Sequence, residues 1–407
     1  MGDWLAAQVV VKWFVAGDPL RGLATVSIVG VHAGSAALNA TGYGVVFAGD
    51  PGRLAAYGDL AGSLQVSGAF SVWIFFVLSG YLVGRPFVHA VIEGRPRPSI
   101  ARFARKRALR ILPPYWTVLT LVVLFTVAVT ASAQISTGRL AALYAFVVHG
   151  DNPLWAWTAH MWTLEAEAIF YVTLPFVVLA GTPLLRRLPS RRARAIAICI
   201  PFVAWTLATA VHVEEAIGVD WLRVFRFFAG GMALAAIELF AVPRVRNRDG
   251  WKTAATVLFT AAFVCLLVLP PLRYLVGGTF DGGVGDALLV IGCDLAVTSV
   301  VGAALLRQWT GAECWSLVNN RFTRWLGTRS YSFYLVHYAL VFELSVLIAR
   351  AGHGYKVTLA LLFPATLIAS GVLAELLYRT VERPFVSFKS RPRRVAAPSR
   401  TAVEQST

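Results

Sequence analysis

Charged side chains make up only 14% of this 407-residue sequence, and acidic ones are the scarcer, 21 Asp and Glu against 37 Lys and Arg. Hydrophobic residues account for 57%, and counting Gly raises the apolar share to roughly 65%, against about 45–50% for a soluble domain. Even a large soluble domain buries only about three quarters of its unfolded-chain surface. So little charge on so much apolar surface excludes a soluble enzyme and a disordered chain. Cysteine is scarce as well. Cys199, Cys265, Cys293 and Cys314 fall mostly in apolar runs and show no CxxC spacing. A disulfide framework is thereby excluded, and no zinc or other metal site is expected. What is left is an all-α, polytopic membrane bundle.

The net charge is +16. In a soluble protein that would suggest nucleic acid. Here Arg and Lys gathered on cytoplasmic loops explain it, and no nucleic-acid partner is expected. Ten apolar runs are long enough to span a bilayer: 22–39, 70–89, 113–133, 162–181, 195–212, 221–242, 253–272, 286–306, 329–350 and 357–378. A shorter run, 141–149, reads as a re-entrant or surface segment. With ten spans and both termini in the cytoplasm, 30 of the 37 Arg and Lys lie on the inner side. Residues 1–21 read as a cytoplasmic segment with an interfacial helix over 3–15, 22–386 as the membrane domain, and 387–407 as a disordered basic cytoplasmic tail. The first run carries a His and has a long preceding segment, so it reads as an uncleaved helix rather than a signal peptide.

Ionisable residues inside spans are costly and mark function. Arg21 and His32 are eleven residues apart, about three helical turns plus 20°, so they share a face. The rise between them is about 16 Å, which puts His32 near the bilayer midplane. The alternative for His32 is packing by a hydrogen bond to a neighbouring helix. Ser79-Gly80 interrupts an aromatic run and makes room for a helix or a ligand. Arg107 and Arg110 share a helix face and, with Arg102 and Lys106, form a cationic cluster. Such a cluster suits phosphates or lipid headgroups. Glu165 and Glu167 stand in an otherwise apolar run, with Tyr171 one turn beyond Glu167. An Arg from another span could pair with these carboxylates. His337 shares a face with Tyr334 and Ser330, which could satisfy it as a brace. The turn at Glu382-Arg383-Pro384 reads as structural and at the cytoplasmic surface.

The stretches PLRGLATVSIVGVHAG, FFVLSGYLV, RFARKRALRILPPY, WTLEAEAIFY, SYSFYLVHY and VERPF occur in that order. Together they resemble the acyltransferase-3 family of bacterial integral-membrane acyltransferases, from about residue 19 to 386. The resemblance implies transfer of an acyl group, usually acetyl, from cytosolic acyl-CoA (acetyl-CoA). The implied acceptor is a hydroxyl of a glycan, glycolipid, peptidoglycan unit or macrolide. It places the family's Arg-x10-His pair on Arg21 and His32, and its Arg-x-x-Arg pair on Arg107 and Arg110. The W-[ST]-L-x-x-E motif falls on Trp162, Thr163, Leu164 and Glu167. Some family members carry a C-terminal SGNH-type hydrolase domain, and none is read in this sequence. The expected site is therefore His32 and Glu167 for catalysis and Arg21, Arg107 and Arg110 for the CoA phosphates, in a multi-pass cell-membrane protein. Two other readings stay open: a flippase or transporter of a lipid-linked sugar, and a membrane sensor without turnover. Trp155, Trp157, Trp162 and Tyr144 could stack on sugar rings or simply form an interfacial belt.

Overall fold

The computed structural model describes residues 14–43, 60–130, 135–148, 152, 154–211, 223–276 and 283–388. Every regular element among them is helical. In hydrocarbon each backbone N–H and C=O must be satisfied within the protein, and a helix does this inside its own segment. In chain order the helices are α1 (Gly17–Leu38), α2 (Leu60–Ala69), α3 (Ser71–Glu93), α4 (Ile100–Thr130), the short α5 (Thr137–Tyr144), α6 (Trp162–Arg186) and α7 (Arg191–Ala210). They continue as α8 (Phe225–Val245), α9 (Asp249–Val276), α10 (Val284–Trp309), the short α11 (Arg321–Thr328), α12 (Ser330–Ala349) and α13 (Tyr355–Leu377). Ten spans among the described residues are long and apolar enough to cross a membrane, α2 and α3 counting as one.

These spans coincide with the ten apolar runs, with two shifts that matter for the site. Helix α1 starts at Gly17, so Arg21 lies within it. Helix α4 starts at Ile100 and continues through Pro113 and Pro114 instead of starting there. Membrane helices tolerate proline because neighbouring groups satisfy the freed carbonyls. Arg107 and Arg110 are thus residues of the spanning helix itself. The run expected at 141–149 is α5 plus an irregular stretch to Val148. It is fastened to α4 by Tyr115 Oη donating to the Leu143 carbonyl at 2.6 Å and by Trp116 Nε1 donating to the Tyr144 carbonyl at 3.1 Å. His149, His212, Trp221, residues 3–13 of the expected interfacial helix and the tail from 389 lie outside the described residues.

Helix α1 is central, touching α2, α3, α11, α12 and α13. Gly22 sets one of these contacts, because a Cβ there would strike the Thr323 carbonyl of α11. Helix α11 is itself started by a capping box between Asn320 and Thr323. On α3, a Cβ at Gly80 would strike the Phe228 carbonyl of α8, so the Ser79-Gly80 notch admits a helix backbone. Ion pairs tie the same region together. Arg85 of α3 meets Glu238 of α8 at 2.6 Å, and Arg226 of α8 meets Asp294 of α10 at 2.5 Å. The Arg226 and Asp294 side chains are only 9% and 1% exposed, where an unpaired charge would be strongly destabilising.

Candidate active site

Arg21 from α1, Arg107 and Arg110 from α4, Ser79 from α3, and Glu167 and Tyr171 from α6 surround one cavity of about 320 Å³. Arg21 Nη1 reaches Asp18 Oδ1 at 3.2 Å, one turn back on its own helix. The Arg107 guanidinium lies over the Tyr171 ring, 5.4 Å from its centroid, and its Nε is buried without a hydrogen-bond partner. Arg110 is within electrostatic range of Arg21 and of Glu382. Arg102, Arg105 and Lys106 on the first turns of α4 are exposed. Guanidinium forks converging on one space match the geometry of phosphate or carboxylate oxygens.

The two glutamates of α6 diverge, as residues two apart on a helix must. Glu167 Oε1 accepts a hydrogen bond from Ser79 Oγ at 2.6 Å. The partner of this carboxylate is thus a hydroxyl, where the sequence had left an arginine open. Glu165 Oε2 accepts from the Val148 amide at 2.9 Å and holds the segment after α5.

His32 opens onto a second cavity of about 500 Å³, together with His160, Trp155, Trp162 and Tyr338. Three histidines from three elements meet beside it. The His337 ring lies 5.4 Å from His32 and 5.1 Å from His160. Tyr338 meets His32 edge-on at 4.8 Å and stacks on His160 at 4.9 Å. His337 is braced differently from the expectation. Its Nδ1 lies 2.6 Å from the backbone carbonyl of Tyr334, so Nδ1 carries the proton. Ser330 lines the arginine cavity instead, and His337 Nε2 is buried without a partner.

Val72, Thr163 and Tyr334 line both cavities and form the wall between them. Tyr334 Oη donates to the His160 carbonyl at 2.5 Å. The Thr163 hydroxyl lies 2.7 Å from the Tyr334 oxygen and 3.3 Å from the same carbonyl, so its proton is taken up within this cluster. The structure thus gathers Arg21, Arg107, Arg110 and Glu167 in one space and places His32 in the next, along the same helix and behind a hydrogen-bonded wall.

Sequence reasoning gave no role to His160 or Ser332, and named Thr163 only as a position of the W-[ST]-L-x-x-E motif. His160 stands within the WTLEAE stretch's N-terminal flank, but no spacing rule brings it to His32 from another helix. Glu382 was expected in a surface turn. Instead it is 3% exposed and accepts from Ser332 Oγ at 2.6 Å. The wider π-helical turn at Tyr378–Glu382 swings it inward. Among the aromatic residues, Trp155 and Trp162 line the histidine cavity. Trp157 Nε1 donates to Glu343 at 2.8 Å, and Tyr144 Oη pairs with Thr120 at 2.5 Å, so both are engaged elsewhere.

Ten membrane-length helices around buried polar cavities define a multi-pass membrane protein with the makings of an enzyme site. Its class follows from comparison with known proteins. The family model described as "Acyltransferase domain" matches residues 17–378, so the chain belongs to the acyltransferase-3 family and is an acyltransferase of groups other than amino-acyl groups. It is 28% identical over 340 residues to the exopolysaccharide production protein ExoZ of Rhizobium meliloti (strain 1021), covering 81% of this chain and 93% of that protein. It is 27% identical over 361 residues to YrhL of Bacillus subtilis (strain 168), a protein named for peptidoglycan O-acetylation, covering 81% of this chain and 52% of YrhL. No solved structure matches the chain.

Proposed function

We propose that the protein takes an acyl group, acetyl, from cytosolic acyl-CoA and passes it to a hydroxyl of a glycan, glycolipid or macrolide-type acceptor. The observation that carries this reading is the pair of adjoining cavities, one lined by Arg21 and the other by His32, residues about 16 Å apart along α1. Coenzyme A has phosphates at one end and a thioester at the other. Arg21, Arg107 and Arg110 bind the phosphates, with the exposed basic turns of α4 at the mouth. The pantetheine arm passes the Thr163–Tyr334 wall, which must open, and presents the thioester to His32. The acceptor enters the histidine cavity from the opposite side, where Trp155 and Trp162 offer faces for a sugar ring. The relatives' names, exopolysaccharide production and peptidoglycan O-acetylation, support a glycan acceptor.

His32 acts as general base on the acceptor hydroxyl as its oxygen attacks the thioester carbonyl, worth typically ~10²–10⁴-fold. Glu167 lies among the arginines and not beside His32. Its role is therefore to set the charge and position of the donor-binding groups. The charge distribution of the sequence supports an arginine cavity that opens to the cytoplasm, with both termini on that side. The membrane domain, expected from residue 22, begins with α1 at Gly17 and runs to 386, between a cytoplasmic N-terminal segment and a basic tail.

Purified protein in liposomes with radiolabelled acetyl-CoA tests the reading. Acetyl-CoA is consumed and the label moves to membrane glycan or glycolipid in vesicles from the source cell. A flippase leaves the thioester intact, and that result would overturn the proposal.

A further inference from the structure

Acyl transfer from a thioester needs a donor for the negative charge that develops on the carbonyl oxygen. Arg21, Arg107 and Arg110 lie in the other cavity, and Arg223 is the arginine that lines this one. Tyr334 has spent its one proton on the His160 carbonyl at 2.5 Å, and the Thr163 hydroxyl is engaged by Tyr334 and the same carbonyl. His337 has spent its N–H on the Tyr334 carbonyl at 2.6 Å and offers only a bare lone pair at Nε2.

His160 stands apart from these. It lines the histidine cavity, is 3% exposed, and neither ring nitrogen has a hydrogen-bond partner. A neutral imidazole always carries one N–H, so a buried donor is left unmet here, a costly condition for a core side chain. Its position is also held. The residue sits in the 3₁₀ turn Ala159–Met161 just before α6, and Tyr334 pins its carbonyl. The ring stacks on Tyr338 at 4.9 Å and 19°, and stands across His337 at 5.1 Å and 79°. Because Tyr338 also touches His32 at 4.8 Å, His32 and His160 flank one aromatic ring at the same cavity.

We infer that His160 is a second catalytic residue, whose N–H donates to the thioester carbonyl oxygen while His32 takes the proton of the attacking hydroxyl. The inference rests on the acyl-CoA reading above. The hydroxyl oxygen bonds to the carbonyl carbon, its proton goes to His32, and the carbonyl π pair moves onto the oxygen held by His160. Collapse restores the C=O bond and breaks the C–S bond. The CoA thiolate leaves and recovers the proton from the His32 imidazolium, giving an ester and free CoA thiol. No further reactant is required. A neutral imidazole suits this role, since it donates without adding a fixed positive charge.

The test compares wild type with His160→Phe, His160→Asn and His160→Gln in membrane vesicles from the source cell, using radiolabelled acetyl-CoA and the endogenous acceptor. Turnover is normalised to folded protein, with acetyl-CoA binding and melting midpoint measured for each variant. Phe keeps a ring but removes the donor. Asn and Gln place an amide N–H near the former Nδ1 or Nε2. Turnover of His160→Phe should fall about 10²–10³-fold, as when an oxyanion donor is removed, with acetyl-CoA binding unchanged. At least one of the amide variants should recover tenfold or more over Phe. Near wild-type turnover in His160→Phe overturns the inference. So does equal loss in all three variants with a lowered melting midpoint, which marks a brace, or a loss matched by weaker acetyl-CoA binding. A wild-type protein that consumes no acetyl-CoA overturns the acyl-CoA reading and this inference together, whereas active wild type with active His160→Phe overturns this one alone.

Discussion

Ser79 of α3 and Glu167 of α6 meet beside the arginine cavity in a 2.6 Å hydrogen bond, the hydroxyl donating to the carboxylate. The contact joins two sequence features that had looked unrelated, a small-residue notch and an intramembrane acid. It leaves Gly80 free to admit α8 while its neighbour holds the acid in place.

Replacing Ser79 by Ala leaves the half-buried Glu167 carboxylate without that donor, a loss of at most about 1–3 kcal/mol, the cost of a fully buried unmet acceptor. A lower melting midpoint is the expected outcome. Glu167→Gln retains an acceptor oxygen but removes the charge. It should stay folded and lose turnover with acetyl-CoA, and full turnover in that variant would reduce Glu167 to a packing role.

Arg107→Ala and Arg110→Ala should each raise the apparent KM for acetyl-CoA while insertion and folding persist. Loss of a charge-assisted contact costs about 1.5–3 kcal/mol, or roughly 10–150-fold. Steady-state kinetics in liposomes measures this. Unchanged KM in both variants would return the cluster to lipid-headgroup anchoring.

His32→Ala should lose acyl transfer by at least ~10²-fold with acetyl-CoA binding little changed, since the phosphate-binding groups lie in the other cavity. His337→Ala should lower stability or yield before it lowers turnover per folded molecule, because its Nδ1 is tied to the turn of α12. The assay is transfer of radiolabelled acetyl normalised to folded protein. A dead but well-folded His337→Ala beside an active His32→Ala would reverse the assignment.

Both termini are expected in the cytoplasm. Reporter fusions at Thr407 and between α1 and α2, within residues 44–59, should report opposite sides of the membrane. The same side for both would contradict the order of the first two spans and, with it, the side from which acyl-CoA enters.

The helical class, the ten spans and the shared face of Arg21 and His32 were legible in the sequence because each depends on local quantities. Run length against bilayer thickness and 3.6-residue periodicity act within one segment. The pairing of Arg107 with Arg110 on one face followed in the same way. Contacts between segments were not legible. Ser79 with Glu167, Thr163 with Tyr334, and Ser332 with Glu382 join different helices, and apolar spans of similar length give no signal for which faces meet. Spacing also could not show that Arg21 and His32, though on one face of one helix, open onto different cavities. That division comes from α6 and α12 meeting at Thr163 and Tyr334, and it is tertiary packing that brings His160 and His337 to the side of His32.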